Sequence, residues 1–171
     1  MKTGIIGGGA AGLMAAAFCK GSEVTILERN EKTGKKIYIT GKGRCNVTNN
    51  CALYEFFPHI LHGQKFMMSS LTAFPPQALM EYLGGLGLRL KTERGNRVFP
   101  VSDKSSDVIK ALTESALRNG ARIETDTEVL SVNKIGDVFE VMTDKGLRSF
   151  DRLIVCLLYT SPSPRDGATS R

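Results

Sequence analysis

Gly7, Gly9 and Gly12 fall in the run Gly7-Gly8-Gly9-Ala10-Ala11-Gly12, and Glu28 follows 21 residues after Gly7. Glycines so spaced, between a strand and a helix, form a turn that brings a pyrophosphate against free backbone N–H groups. Gly7 permits the tight exit from the strand, Gly9 lets the backbone approach the phosphates, and Gly12 lets the helix pack closely on the strand. Ala10 and Ala11 carry N–H groups of the first helical turn, where the helix dipole favours negative charge. Glu28, at the end of a second strand, is placed to accept hydrogen bonds from the adenosine ribose hydroxyls, and its charge disfavours a 2′-phosphate. These residues specify a dinucleotide without choosing between FAD and NAD.

The stretch Lys35-Lys36-Ile37-Tyr38-Ile39-Thr40-Gly41-Lys42-Gly43-Arg44-Cys45-Asn46-Val47-Thr48-Asn49 bears on that choice. A Gly-rich loop with Arg and Asn can wrap a longer cofactor by setting backbone N–H groups and a guanidinium against its phosphates and ribityl chain. Residues Gly7 to Gly12, the Glu28-Arg29 pair and Lys35 to Asn49 resemble the BaiN/RdsA-type family of bacterial NAD(P)/FAD-dependent oxidoreductases, the aminoacetone oxidase-like flavoproteins. The segment Glu93 to Lys104, with Gly95-Asn96-Arg97-Val98-Phe99-Pro100, shares the resemblance, which covers residues 1 to 155.

That resemblance implies FAD as cofactor, with NAD(P)H as a candidate electron donor. By it, Glu28 binds the adenosine ribose, Arg29 and Lys36 lie along the cofactor, and Gly43, Arg44, Cys45 and Asn46 line the route towards the flavin. Val129 corresponds to a position where related flavoproteins make backbone contacts to adenine. The expected partners are a small-molecule substrate and the family's C-terminal half, whose second Gly-rich segment, substrate-side domain and closing flavin motif have no counterpart in this sequence. Nucleic acid and membrane are not expected partners, and a cytoplasmic location is.

These side chains must be held by an α/β framework. Thr3 to Ile6 reads as a strand, Leu13 to Lys20 as an Ala-rich helical run ended by Gly21, and Glu23 to Leu27 as the next strand. Residues 29 to 50 are polar and lack a period, so a long loop, or a short helix between loops, is expected. Helices are predicted over Gln64 to Leu71 and Pro76 to Gly84, and a hairpin over Leu88 to Thr92 and Arg97 to Val101. Ser102 or Asp103 is placed to cap a helix carrying Val108, Ile109, Leu112 and Ala116 on one face, with Asn119-Gly120 as its stop. Arg122 to Thr125 and Arg152 to Val155 read as further parallel strands. Between them Glu128 to Asn133, Val138 to Thr143 and Leu147 to Phe150 form an antiparallel meander. The fold class is thus a Rossmann-like FAD-binding domain, a parallel sheet with an inserted three-strand meander, over 1–155.

Cys156 to Arg171 breaks this pattern, and it resembles the translation of a transposase adapter used in preparing sequencing libraries. Residues 156–171 are therefore expected to be an artefactual tail.

A chain of 171 residues with 42% hydrophobic content can bury one ordinary core, and no apolar run reaches the length of a membrane helix. The net charge of +6 is spread along the chain, which fits a solvated basic surface, with Lys35, Lys36, Lys42 and Arg44 near the expected phosphates. Cys19, Cys45, Cys51 and Cys156 form no CxxC pair, so reduced thiols and no metal site are expected, with Cys45 in a packing or backbone-contact role. His59, His62, Asp103 and Lys104 read as surface or helix-terminus groups, so no catalytic acid or base is named. Two rival readings stay open: a flavin-dependent tRNA-modifying enzyme, and a cofactor-binding module with no activity of its own.

Overall fold

The computed structural model describes residues 1–157. Its strands are β1 (Lys2–Ile6), β2 (Glu23–Leu27), β3 (Thr48–Asn49), β4 (Leu90–Glu93), β5 (Arg97–Pro100), β6 (Arg122–Glu124), β7 (Val129–Ile135), β8 (Val138–Thr143), β9 (Gly146–Phe150) and β10 (Arg152–Val155). The helices are α1 (Ala10–Phe18), α2 (Lys35–Ile39), α3 (Leu53–Phe56), α4 (Gln64–Ala73), α5 (Pro76–Gly85) and α6 (Ser105–Arg118). The chain forms two compact units, Met1–Thr33 with Ala116–Arg171, and Gly34–Ser115.

The first unit is built on a parallel sheet in the order β10-β1-β2-β6. Thr3 to Ile6 of β1 are all buried, as befits an inner strand of a sheet covered on both faces. Ile5 stands opposite Ile26 on one side and Ile154 on the other. The expected meander is present as the antiparallel sheet β7-β8-β9. It seats on the parallel sheet through Leu27, Val141 and Phe150, with Val129 and Leu153 packed around them. The seat explains Gly4, where a Cβ would come within 2.6 Å of the Phe150 ring. Asn119, expected only as part of a helix stop, also closes α1: its amide donates to the carbonyls of Ala16 at 2.8 Å and Cys19 at 2.9 Å.

The second unit carries the antiparallel sheet β3-β5-β4, and the β4–β5 hairpin appears where the turn residues placed it. Gly95 and Asn96 supply the left-handed turn conformations, at φ 75° and 57°. The stretch expected as a long loop or short helix holds α2, a 3-10 turn at Thr40–Gly43 and β3. α6 begins at Ser105, two residues beyond Asp103. Asp103 itself has φ 57° and its carboxylate is bound elsewhere, which corrects its reading as a helix cap. Most of the tail, residues 158–171, lies outside the described residues. Cys156 continues the pairing of β10 by donating its main-chain N–H to the Ile6 carbonyl at 2.8 Å. No helix among the described residues is long and apolar enough to cross a membrane.

Candidate functional site

In the first unit the three fingerprint glycines are demanded by different things. Gly7 leaves β1 at φ 103°, and its N–H donates to the Leu27 carbonyl at 2.9 Å, fastening the turn to the end of β2. A Cβ on Gly7 would lie 2.6 Å from the Cys156 carbonyl oxygen, and one on Gly12 would lie 1.9 Å from the Gly7 carbonyl oxygen. Packing within the protein therefore requires glycine at both positions. At Gly9 a Cβ would meet nothing within 4 Å. Gly9 is the N-cap of α1, so this open space adjoins the first helical turn.

Leu13 donates the first bond of that helix, to the Gly9 carbonyl at 3.0 Å. The N–H groups of Ala10, Ala11 and Gly12 therefore have no intrahelical acceptor. Ala10 and Ala11 are exposed, and no acidic side chain occupies the first turn. The arrangement suits an anion approaching the backbone.

Glu28, just past the carboxyl end of β2, is only 8% exposed. Its Oε2 accepts the Gly8 N–H at 2.7 Å. Its Oε1 accepts the Asn30 main-chain N–H at 2.8 Å and the Asn30 side-chain amide at 2.5 Å. The Glu28 main chain is pinned as well, donating to the Glu124 carbonyl and accepting from the Thr127 N–H, both at 2.9 Å. Arg29 beside it is exposed. Val129 opens β7 with its side chain in the core cluster, so what it can offer a ligand is main chain. Gly7, Gly9, Ala10, Ala11, Gly12, Glu28, Arg29 and Val129 thus belong to one unit.

Lys36, Gly43, Arg44, Cys45 and Asn46 belong to the second unit. Lys36 is exposed on α2. The loop after α2 winds through left-handed backbone at Gly41, Lys42, Gly43 and Cys45, with φ of 55°, 57°, 84° and 60°. Arg44 is held by carboxylates: its Nε donates to Asp103 Oδ1 at 2.8 Å, its Nη2 to Glu93 Oε1 at 2.5 Å, and its guanidinium lies 4.2 Å from the Phe99 ring centre. Lys91 completes the cluster, with Nζ 2.6 Å from Asp103 Oδ2 and 3.3 Å from Glu93 Oε1. Arg44 therefore anchors the loop to the β4–β5 hairpin and to the segment before α6.

Cys45 is buried, and burial pushes its thiol above the ordinary cysteine value despite an opposing hydrogen bond with Thr40. A protonated, packed thiol is a poor nucleophile, which agrees with a packing role. The Asn46 amide nitrogen, oriented to donate, bonds the carbonyls of Val98 at 3.2 Å and Thr48 at 3.0 Å and so braces β3 against β5. Among the described residues no cluster of His, Cys, Asp or Glu is arranged to hold a metal.

Across residues 1–171 the sequence matches the HI0933-like protein Rossmann domain. The chain belongs to the HI0933-like family. Its curated relatives include the 3-dehydro-bile acid delta(4,6)-reductase of Clostridium scindens, 34% identical over 160 residues, or 90% of this chain and 38% of that protein. Another is the ribosomal RNA dihydrouridine synthase of Escherichia coli, 29% identical over 133 residues, or 76% of this chain and 32% of that protein. The chain thus spans about a third of the length of these relatives. Among solved structures, a variant of the halogenase PltM in complex with FAD superposes with a TM-score of 0.53 at 16% identity, covering 94% of this chain and 35% of that one. The motif resemblance read from Gly7 to Asn49 and the Rossmann fold both hold.

Two sets of residues in this HI0933-like chain escaped sequence reasoning. Asn30 follows Glu28 by two positions, and that short spacing, typical of a side chain capping its own neighbourhood, was the available signal. Glu93 and Asp103 lie 49 and 59 positions from Arg44, and no local pattern links them.

The cluster carries a pH prediction. The Asp103 carboxyl is held below its ordinary range by hydrogen bonds from Lys91 and then Arg44, and the Glu93 carboxyl by Arg44 and then Lys91. A carboxyl whose folded pKa is depressed contributes stability above its unfolded value, near about 4, and loses it as pH falls through the lower folded value. Asp103→Asn is therefore expected to destabilise the chain at pH 7 and to become indistinguishable from the parent at strongly acidic pH. Urea unfolding across that range measures it, and a pH-independent difference would contradict the ion-pair account.

Proposed function

We propose that this chain is the FAD-binding part of a flavin-dependent reductase. The observation that carries the reading is the open space at Gly9, beside N–H groups of α1 that have no intrahelical acceptor, in the unit where the buried carboxylate of Glu28 follows β2. A glycine that the protein's own packing does not require is what a cofactor's pyrophosphate would require. In this reading Ala10, Ala11 and Gly12 donate to the pyrophosphate, Glu28 accepts from the adenosine ribose, and Val129 offers main chain to adenine. Arg29, Lys36, Gly43, Cys45 and Asn46 are further proposed contacts, and Arg44 acts by fixing its loop. FAD, when bound, supplies the redox chemistry, while the chain binds and orients it.

For the reaction, we carry over what the two relatives' names have in common, addition of hydrogen to a carbon–carbon double bond. The bile-acid enzyme's name favours a small-molecule substrate; NAD(P)H as electron donor and a cytoplasmic location complete this proposal. The ribosomal RNA enzyme, together with the net charge of +6, favours a second reading in which the substrate is a base in RNA. RNA affinity falling steeply with salt would distinguish it, since each neutralised phosphate releases counterions.

The cofactor assignment is tested by titrating the purified chain with FAD and following flavin fluorescence and absorbance. Saturable binding is expected. Glu28→Ala is expected to weaken it by about 1.5–3 kcal/mol, the worth of hydrogen bonds to a charged group. Equal affinity in the variant would remove Glu28 from the site.

A further inference from the structure

We propose that Asn30 is a positioning residue that aims the Glu28 carboxylate, so that selection of the ribose hydroxyls depends on a side chain that need not touch the ligand. The inference rests on the dinucleotide reading above. A carboxylate offers about four lone-pair sites. In Glu28 three are taken: one on Oε2 by the Gly8 N–H, and two on Oε1 by the main chain and side chain of Asn30. One acceptor site remains, on Oε2, and the partners already made fix its direction.

Asn30 is itself anchored. Its carbonyl accepts the Asp126 N–H at 3.0 Å, while the Thr127 N–H donates to the Glu28 carbonyl at 2.9 Å. The segment leading to Val129 is therefore stitched to Asn30 and to the main chain of Glu28 itself. Asn30 is half-buried, so water replaces its amide poorly if the side chain is lost. The Gly8 N–H, already committed to Glu28, is not a phosphate donor. That assigns the pyrophosphate to the N–H groups of α1 and leaves Glu28 to the sugar.

A residue that merely stabilised the fold would weaken all nucleotides alike, whereas one that aims the carboxylate changes discrimination between sugars. The test measures binding of ADP and of 2′-deoxy-ADP to the full chain, to Asn30→Ala and to Asn30→Asp, with circular dichroism to verify folding. The parent is expected to prefer ADP. Asn30→Ala should lose about five- to tenfold in ADP affinity, less than the loss of a direct hydrogen bond between ligand and a charged group, because Asn30 acts only through Glu28. It should lose much less for 2′-deoxy-ADP, so the preference shrinks.

Asn30→Asp keeps the main-chain donor and the side-chain shape but sets a second carboxylate against Glu28. Two carboxylates so close share a proton as pH falls. Its ADP affinity relative to the parent is therefore expected to be low at pH 7.5 and to recover by pH 5.5. An unchanged sugar preference in Asn30→Ala, or a pH-independent deficit in Asn30→Asp, overturns the positioning role while leaving the dinucleotide site standing. Failure of the parent chain to bind ADP overturns both.

Discussion

Gly12→Ala is expected to destabilise the first unit by about 3 kcal/mol, a change of opposite sign to that expected from helix propensity. Alanine in a helix interior is ordinarily favoured over glycine by about 1 kcal/mol. Here the added methyl would stand 1.9 Å from the Gly7 carbonyl oxygen. That atom is backbone, so no rotamer change relieves the overlap, and α1 must lift away from β1. Lifting it disturbs the contacts of Leu13 and Ala16, both fully buried. Overpacking alone typically costs about 1–3 kcal/mol, and the upper end applies where the neighbour cannot yield. Against a total stability of about 5–15 kcal/mol the loss is large. Denaturant unfolding followed by far-ultraviolet circular dichroism measures it; a neutral or stabilising result would mean that α1 does not sit on the turn as described.

At Gly9 the expected result is the reverse. Gly9→Val should fold as stably as the parent, to within a few tenths of a kcal/mol, and should lose about a hundredfold or more in FAD affinity. The residue has φ −81° and ψ −168°, extended backbone open to any amino acid, and its side-chain direction is empty. Glycine is the better N-cap of the two, but at this extended backbone the unfolded-state freedom that valine removes offsets that preference. On the proposed placement of the pyrophosphate, what valine would take away is the approach of phosphate oxygens to the α1 N–H groups. Losing two such charge-assisted bonds, at about 1.5–3 kcal/mol each, accounts for the expected change. Isothermal calorimetry on a variant with an unaltered unfolding midpoint is the decisive pairing, and retained affinity would send the pyrophosphate elsewhere.

The contrast between these glycines shows what the sequence could and could not disclose. Gly7, Gly9 and Gly12 were assigned three roles from spacing alone, and distances now separate the roles of Gly7 and Gly12 from that of Gly9. β2 and β8 begin and end where alternation and turn residues placed them, because local pattern and burial agree there. α1 begins three residues earlier than its apolar run, since Gly12 reads against a helix until its packing is known. β3 is only two residues long and exists through Thr48 opposite Val98 and Asn49 opposite Arg97, pairings that no periodicity in residues 29 to 50 could announce. α3 is a single turn, too short to show a period. In the candidate site, Glu28 was legible as an acceptor, but its engagement by Gly8 and Asn30 was not. Arg44 was read as a cofactor-side guanidinium, and its pairing with Glu93 and Asp103 was not foreseen because those partners are brought to it only by folding.

The cluster around Arg44 has an electrostatic consequence of its own. Two cations, Arg44 and Lys91, face two anions, Glu93 and Asp103, within hydrogen-bonding distance. Summed over these four side chains the charge is zero, and the field they cast into solvent decays as that of closely spaced opposite charges. Arg44 therefore adds little to the long-range pull on an approaching anion, and the salt dependence of cofactor association reports on other, exposed basic groups.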